Sequence, residues 1–122
     1  MSVLPTTFGN KIVMRALDKS NLSLGLETLG FLPRPLEDFK NALVRPFGII
    51  LVTGPTGSGK STTLYSILNE LNKPERNIVT VEDPVEYQVQ GLTQIATHPE
   101  IGLDFAKGLR AILRQSPDII MV

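Results

Sequence analysis

Eight residues in the middle of the chain have the types and spacing that bind a polyphosphate. They run from Gly54 to Ser61 and fit the pattern G-x-x-x-x-G-K-[ST]. The glycines permit positive φ angles and leave no side chains between the backbone N–H groups and a phosphate chain. The pattern therefore predicts a phosphate-binding loop, and the residues assigned to it are Gly54, Pro55, Thr56, Gly57, Ser58, Gly59, Lys60, Ser61 and Thr62.

Three residues at the end of this loop have separate roles in the hypothesis. Lys60 is expected to reach the β- and γ-phosphates of a nucleotide. The Ser61 hydroxyl is expected to be one of the few protein ligands of Mg²⁺, which keeps most of its waters. Thr62 is expected to contact a more internal phosphate. The alternative is a glycine-rich turn with an incidental lysine, and the elements on either side of the loop argue against it.

The loop is flanked by patterns typical of a strand and a helix. Residues 49–52 form an unbroken apolar run that predicts a buried strand. Four apolar residues after the loop recur at helical spacing: Leu64, Ile67, Leu68 and Leu71. The helix that begins near Lys60 would turn its unpaired N–H groups and its positive dipole end toward the same anion.

A second apolar run, at residues 78–81, predicts the next strand. A strand, a crossover helix and a strand form a right-handed βαβ unit with a parallel sheet, so the predicted fold class is α/β. Ligands of such sheets bind outside the carboxyl ends of the strands. The residues that follow position 81 are therefore expected to face the nucleotide.

Three acidic residues lie in the segment that is expected to face the nucleotide. Glu82, Asp83 and Glu86 lie within five residues directly after the predicted strand. Glu82 is the predicted catalytic residue, because a carboxylate near the γ-phosphate can position or deprotonate the attacking water. Asp83 is expected to support the Mg²⁺ shell through water. The alternative, in which Asp83 and Pro84 form a turn and the glutamates are solvated, remains open.

The residues before the loop predict a small β structure and a helix. Gly9 and Asn10 predict a hairpin turn, with a second strand over residues 11–17. A linker is expected from there to residue 32. Two prolines then introduce a predicted short helix at residues 36–44.

Three more elements are expected after the acidic segment. Alternation at residues 85–89 predicts a strand, and residues 92–95 its returning partner. Asp104 is the expected N-cap of a helix with four apolar residues assigned to the core: Phe105, Leu109, Ile112 and Leu113. Residues 118–122 predict a third buried strand.

The composition limits the partners and the compartment. Twelve basic residues balance twelve acidic ones, so the net charge gives no indication of nucleic acid or of an anionic membrane surface. The chain has no cysteine, which excludes disulfides and thiolate metal sites and is compatible with a reducing compartment. No apolar run approaches the roughly 20 residues that span a bilayer. The cytoplasm is the expected location.

Four other residues have a functional and a plainer interpretation. Arg15, Arg110 and Arg114 could reach the phosphates of a neighbouring subunit as arginine fingers do, although such arginines are more often surface charges. His98 is the only histidine and precedes a proline in a polar stretch, which favours a solvated loop residue over a metal ligand.

Three sequence blocks carry a family resemblance. They are VTGPTGSGKSTTLY at 52–65, VTVEDPVEY at 79–87, and GLRAILRQ at 108–115, with Pro117 and Asp118 behind it. In order and spacing they resemble the secretion traffic ATPases of type II secretion and type IV pilus assembly. The first residues resemble the strands that close this family's second N-terminal domain, and they are more similar to assembly and secretion members than to pilus-retraction members.

The resemblance implies a fold, an activity and an assembly. The fold is a RecA-like P-loop NTPase core preceded by the end of a small β-containing N-terminal domain. The implied activity is hydrolysis of ATP with Mg²⁺ to drive pilin or pseudopilin assembly. The implied assembly is a cytoplasmic homohexamer, peripheral at the inner membrane through a platform protein and other machinery.

The resemblance also assigns residues. Residues 54–62 match the Walker A loop, and Glu82 falls in the family's acidic box as the catalytic glutamate, with Asp83 and Glu86 in the same box. Residues 109–122 resemble the approach to Walker B, whose Gly-Glu and following histidine box would come later. Arg15 is the candidate for an arginine that the N-terminal domain supplies to the nucleotide.

The resulting division has three parts. Residues 1–18 are expected to end the N-terminal domain, residues 19–32 to form the linker, and residues 33–122 to begin the ATPase domain. An apolar strand at the end of the chain predicts a fragment without turnover of its own. The competing functions are a nucleotide-dependent switch or scaffold without productive hydrolysis, which Glu82 disfavours, and a small-molecule kinase, for which no acceptor pocket or lid is found.

Overall fold

The computed structural model describes residues 2–14 and 25–122. Its centre is a three-stranded parallel sheet in the order β4-β3-β5. The strands are β3, Ile78–Glu82; β4, Thr93–Ala96; and β5, Ile119–Met121. The predicted α/β class with a parallel sheet is therefore confirmed.

Helices cover both faces of the central strand. Helix α1 spans Pro33–Leu43, and α2, which follows the glycine loop, spans Lys60–Leu71. Helix α3 spans Phe105–Ile112. Because successive side chains of a strand point to opposite faces, Ile78 packs with α2 whereas Val79 and Val81 pack with α3. All five residues of β3 are buried, as expected of a strand covered on both sides.

The larger core cluster lies on the α2 face. Ile78 is joined there by residues of α2 and of a short 3-10 helix, Leu26–Leu29. The buried members are Leu26, Tyr65, Ile67, Leu68, Leu71 and Ile78. Leu26 belongs to the predicted linker, so this part of the linker packs against α2. The division into residues 1–18, 19–32 and 33–122 stays a prediction.

The smaller cluster lies between β3 and α3. Val79, Val81 and Ile112 are its buried members. Gly108 brings the helix close to the sheet, since a Cβ there would lie 3.1 Å from a methyl group of Val81. The prediction that Phe105 and Leu113 belong to the core is wrong, because both are exposed on the outer side of this segment. The helix and its Asp104 N-cap are confirmed, with the carboxylate accepting from the Lys107 N–H at 2.7 Å.

The apolar run before the glycine loop is not the buried strand that its composition predicts. Residues 49–52 have no strand assignment, and Ile49 and Leu51 are 87% and 81% exposed. A parallel strand buries an apolar run only where neighbouring strands and helices cover it. The described residues form no ladder with this run, so most of it remains exposed, and only Val52 is half-buried.

The hairpin near the start is present, but its turn is shifted. Strand β1, Ser2–Thr6, pairs antiparallel with β2, Gly9–Val13, so Thr7 and Phe8 form the turn. Gly9, at φ +118°, lies in the second strand rather than in the turn, and the Thr6 hydroxyl donates to its carbonyl at 2.6 Å. Residues 15–17 of the predicted strand lie outside the described part.

The acidic segment also differs from the prediction. Residues 85–89 form no strand, and β4 pairs parallel with β3 instead of returning antiparallel. Side chains satisfy the backbone of this loop: Gln94 accepts from the Val89 N–H and donates to the Tyr87 carbonyl, both at 2.8 Å. The Asp83–Pro84 peptide bond is cis. Local side-chain bonds of this kind replace the ladder that alternation alone predicts.

The first helix begins earlier than the predicted residues 36–44. Pro33 and Pro35 lie in its first turn, where the missing N–H groups cost no hydrogen bond and the fixed φ angle suits a helix. Within the described ranges, no helix has the length and apolarity to cross a membrane.

Candidate nucleotide-binding site

The glycine loop forms a turn immediately before α2. Gly57 and Gly59 have φ angles of +80° and +90°, in the left-handed region that glycine adopts without strain. Space is open at both positions where a Cβ would stand. The Lys60 ammonium group bends back over the loop and donates to the carbonyls of Gly54 and Pro55, each at 2.9 Å. The loop thus surrounds the Lys60 ammonium group, whose positive charge would attract an anion that enters the loop.

The start of α2 adds a second source of positive potential. Gly59 is the N-cap, so no side chain caps the helix, and no acidic residue lies in its first turn. The first intrahelical bond runs from the Thr63 N–H to the Gly59 carbonyl at 2.9 Å. The preceding amides of the first turn have no helical partner, and with the dipole they favour a phosphate. Ser61 and Thr62 are half-buried in this turn.

A cavity of about 360 Å³ lies beside the loop. Lys60, Ser58 and Thr63 line one part of it, and the exposed segment at residues 50–53 lines another. The rings of Phe31 and Phe39, stacked with centroids 5.4 Å apart, complete the lining. The loop therefore opens into a space with polar and apolar walls.

Glu82 lies at the carboxyl end of β3 and is 9% exposed. Its side chain points to the α2 face, where the Tyr65 hydroxyl donates to Oε2. The Thr80 hydroxyl donates to Oε1 at 2.6 Å, and the Gln94 amide donates to the same oxygen at 3.2 Å. The predicted catalytic glutamate is thus on the side of the sheet that α2 covers. The alternative of a solvated Glu82 is excluded.

The other predicted acids are more exposed. Asp83 is exposed and Glu86 is half-buried, in the loop that begins after β3. In the part of the chain that the structure describes, no three His, Cys, Asp or Glu residues come together as a metal site. A Mg²⁺ site made of Ser61 and Asp83 would therefore depend on waters and phosphate oxygens for its other ligands. It stays a prediction.

The structure assigns no anion-binding geometry to the remaining candidates. Arg15 lies outside the described residues. Arg110 and Arg114 are exposed on α3 and just beyond it. The exposed His98 exchanges backbone bonds with Leu103, which agrees with a loop residue.

A comparison with known families identifies the class of protein to which the chain belongs. The model described as "Type II/IV secretion system protein" matches residues 1–122. The chain belongs to this family. The resemblance in the sequence blocks is therefore confirmed over the whole chain.

Named relatives come from both branches of the family. The type IV pilus assembly ATPase PilB of Myxococcus xanthus is 59% identical over 122 residues, and the chain spans 22% of it. The type II secretion system ATPase E of Vibrio cholerae is 53% identical over 122 residues, and the chain spans 24% of it. The chain thus corresponds to about a quarter of the length of these relatives.

Two solved structures share the fold. The crystal structure of the pilus retraction motor PilT with bound ADP matches 97% of this chain and 34% of that one, with a TM-score of 0.78 and 35% identity. The Legionella pneumophila ATPase DotB matches 81% of this chain and 28% of that one, with a TM-score of 0.64 and 32% identity. The expected P-loop ATPase fold is confirmed.

Sequence reasoning missed the residues that hold Glu82. Tyr65 was part of the motif block but had no role, and Thr80 and Gln94 were unassigned. Thr80 was detectable, because a residue two positions before Glu82 on a strand shares its face. Tyr65 and Gln94 come from other elements, and nothing in their spacing signals the contact. Burial, and then the bond to Glu82, raise the pKa of Tyr65, so its hydroxyl keeps its proton above the pH at which an exposed tyrosine ionises.

Asn77 is a further residue whose contacts have no sequence signal. Its N–H donates to an Asp118 carboxylate oxygen at 2.7 Å, and the Asp118 N–H donates to its carbonyl at 2.9 Å. Its side-chain amide donates to the Gln115 and Ser116 carbonyls at 2.8 and 3.1 Å. Asn77 thereby joins the starts of β3 and β5 and sets their parallel register.

Proposed function

We propose that this chain is part of a motor ATPase that binds and hydrolyses ATP to power pilin or pseudopilin assembly, in type IV pilus biogenesis or type II secretion. One observation carries the proposal: a glycine loop with Lys60 folded over it begins the same helix, α2, that contacts the buried Glu82. A phosphate site at the start of a helix and a carboxylate held against the same helix are two of the parts that hydrolysis of a terminal phosphate uses. The names of the relatives, pilus assembly and secretion ATPases, support the same activity.

The expected ligands are ATP and Mg²⁺. The open positions at Gly57 and Gly59 and the uncapped amides of α2 fit a phosphate chain. Ser61 would hold the cation, with Asp83 acting through water. When bound, Mg²⁺ supplies charge that neutralises the β- and γ-phosphate oxygens.

The residues of the chain have distinct tasks in this scheme. Lys60 exchanges its bonds to the Gly54 and Pro55 carbonyls for phosphate oxygens, which places its charge where negative charge develops. The loop amides and Thr62 orient the phosphates. Glu82 orients the attacking water and accepts its proton.

The assembly is part of the proposal. The family resemblance supports a cytoplasmic homohexamer, peripheral at the inner membrane and held there by a platform protein and other machinery. It also supports the division at residues 18 and 32 and a role for Arg15 at the nucleotide. Relatives from the pilus and the secretion branches match at 59% and 53% identity, so both cargoes fit.

Two substitutions test the activity in the protein expressed from its complete gene. Lys60→Ala is expected to weaken ATP binding and to reduce turnover about 100-fold or more, whereas Glu82→Gln should retain binding and lose turnover about 100-fold. Turnover is measured as phosphate release, and binding with a fluorescent ATP analogue. Lys73→Ala and Glu75→Gln, at exposed positions after α2, are the matched controls.

The second candidate is a nucleotide-dependent switch without productive hydrolysis. The hydrogen bonds to both oxygens of Glu82 favour it, because a carboxylate engaged by three donors can serve as a structural tether. Nucleotide binding that Lys60→Ala abolishes, in a parent protein that releases no phosphate above background, would establish the switch. Unchanged phosphate release in Glu82→Gln would overturn the catalytic assignment of Glu82.

A further inference from the structure

The geometry points to Tyr65 as a positioning residue that fixes the carboxylate of Glu82 relative to the phosphate loop, with Thr80 and Gln94 completing the support. This inference rests on the proposed function, since it assigns a task to Tyr65 only if Glu82 acts on water. Tyr65 is not a catalytic residue in this scheme. It acts through Glu82.

The first step is the hydrogen-bond pattern around the carboxylate. An ionised carboxylate only accepts, and each of its oxygens has a donor in the structure. Tyr65 donates to Oε2, whereas Thr80 and Gln94 donate to Oε1, at 2.6 and 3.2 Å. Bonds to both oxygens fix the rotation of the carboxyl group as well as its location.

The second step is that the donors are themselves fixed. The Gln94 amide has three bonds: its oxygen accepts from the Val89 N–H, and its nitrogen donates to Glu82 and to the Tyr87 carbonyl. The Tyr65 oxygen accepts from the Tyr87 N–H at 3.4 Å while its proton goes to Glu82. Because every proton direction in this network is determined, the network has one arrangement.

The third step is burial. Tyr65 is 3% exposed, and its ring packs edge-on against Tyr87 with centroids 5.4 Å apart. The hydroxyl reaches Glu82 in a region from which most water is excluded. Hydrogen bonds to a charged group are stronger there than at the surface.

The fourth step links the network to the phosphate loop. Tyr65 follows Lys60 by five residues on α2, a rise of about 7.5 Å along the helix axis. The same rigid helix therefore begins at the glycine loop and contacts the Glu82 carboxylate from its second turn. Hydrogen bonds from Thr80 and Gln94 attach Glu82 to the sheet, whereas the hydrogen bond from Tyr65 attaches it to α2.

Tyr65→Phe is the direct test, in the protein expressed from its complete gene. The ring and its packing remain, and one donor to Glu82 is lost. Turnover at saturating ATP should fall about tenfold, because a carboxylate that is free to rotate misplaces the water. The KM for ATP and the affinity for a fluorescent ATP analogue should stay within about twofold, since no phosphate contact changes.

Ser66→Ala is the matched control. Ser66 is the next residue of α2, is also buried, and donates its hydroxyl to the Thr62 carbonyl of its own helix at 2.9 Å. Its loss should leave kcat and KM within about twofold of the parent values. Thr80→Val provides an independent route to the same result, because it removes a donor to the other oxygen of Glu82 and keeps a β-branched side chain in the strand.

The Glu82→Gln background separates this inference from the proposed function. If Tyr65 acts only through Glu82, Tyr65→Phe causes no further loss of single-turnover rate in that background. An equal further loss, or a Tyr65→Phe protein with normal kcat beside an inactive Glu82→Gln protein, overturns the positioning role and leaves the ATPase proposal intact. Full activity of Glu82→Gln overturns the catalytic assignment of Glu82 and, with it, the positioning role of Tyr65.

Discussion

Taking a carboxylate out of water costs several kcal/mol unless hydrogen bonds replace its hydration. Glu82 meets this condition with donors from α2, β3 and β4, and its surroundings keep it near the phosphate-loop helix. The Lys60 ammonium group is also held by hydrogen bonds, in this case to two carbonyls of the glycine loop. Both charged side chains are therefore held in place before any ligand arrives.

The Tyr65 phenol should ionise far above the pH at which an exposed tyrosine does. Burial and the bond to Glu82 both raise its pKa, whereas an exposed tyrosine ionises near pH 10. The absorbance at 295 nm of the parent protein minus that of Tyr65→Phe, recorded during an alkaline titration, isolates this group. We expect no increment near pH 10.

The sign of the stability effect follows from the same shift. A group whose pKa is raised on folding contributes stability that is fully present below the unfolded-state value and is lost as the pH rises toward the folded-state value. The parent protein should therefore lose more free energy of unfolding above pH 10 than Tyr65→Phe does. A difference absorbance that develops around pH 10 would show that Tyr65 is solvated.

At the scale of elements, two helices make different contacts with the same strand. Helix α2 presents large side chains to Ile78, whereas α3 approaches Val81 through a glycine. Phe105, at the start of α3, is exposed. An amphipathic pattern predicts that a helix has an inner face, and the neighbouring strand decides which residues occupy it.

Gly108→Ala should weaken the packing of α3. The added Cβ would lie 3.1 Å from Val81 Cγ1, inside a buried contact. Overpacking costs about 1–3 kcal/mol, which exceeds the gain of about 0.5–1 kcal/mol that alanine brings to a helix interior. Hydrogen exchange of the α3 and β3 amides should accelerate about tenfold.

Val81→Ala supplies the control for this prediction. It makes room for the new methyl group, so the two substitutions together should destabilise the protein by less than the sum of their separate effects. Slower exchange in Gly108→Ala alone would mean that helix propensity, rather than the contact with Val81, determines the outcome.

For the whole molecule, the phosphate loop and the sheet share one helix, so ligand binding and fold stability are coupled. Helix α2 carries Lys60 at its start and contributes Tyr65, Ile67, Leu68 and Leu71 to the core. A ligand that binds only the folded state stabilises it by mass action. Nucleotide should thus stabilise more than the loop itself.

ATP with Mg²⁺ should raise the thermal unfolding midpoint of the complete protein. At 100 times the dissociation constant the stabilisation is about 2.7 kcal/mol. AMP, which lacks the β- and γ-phosphates, should produce a smaller shift, and Lys60→Ala should abolish the shift. Differential scanning fluorimetry measures all three. Equal shifts with AMP and ATP would place the main contacts outside the glycine loop.

Short stretches of sequence are enough to specify the local features of this protein. Glycine spacing specifies positive φ angles, and an Asp before an amphipathic run specifies a helix start, so the glycine turn before α2, the N-cap of α3 and the α/β class could be predicted. These features depend on neighbours along the chain. Glu82 could be identified as a candidate in the same way, because it directly follows an apolar run.

Contacts between separate elements set which residues surround the Glu82 carboxylate and which apolar residues are buried. Tyr65 and Gln94 lie 17 and 12 positions from Glu82, and their approach depends on how α2 and β4 pack on β3. The apolar run at 49–52 satisfies every composition rule for a buried strand and is exposed, since burial requires partners from elsewhere in a fold. Contacts between distant segments are set by packing, so a local sequence pattern does not predict them.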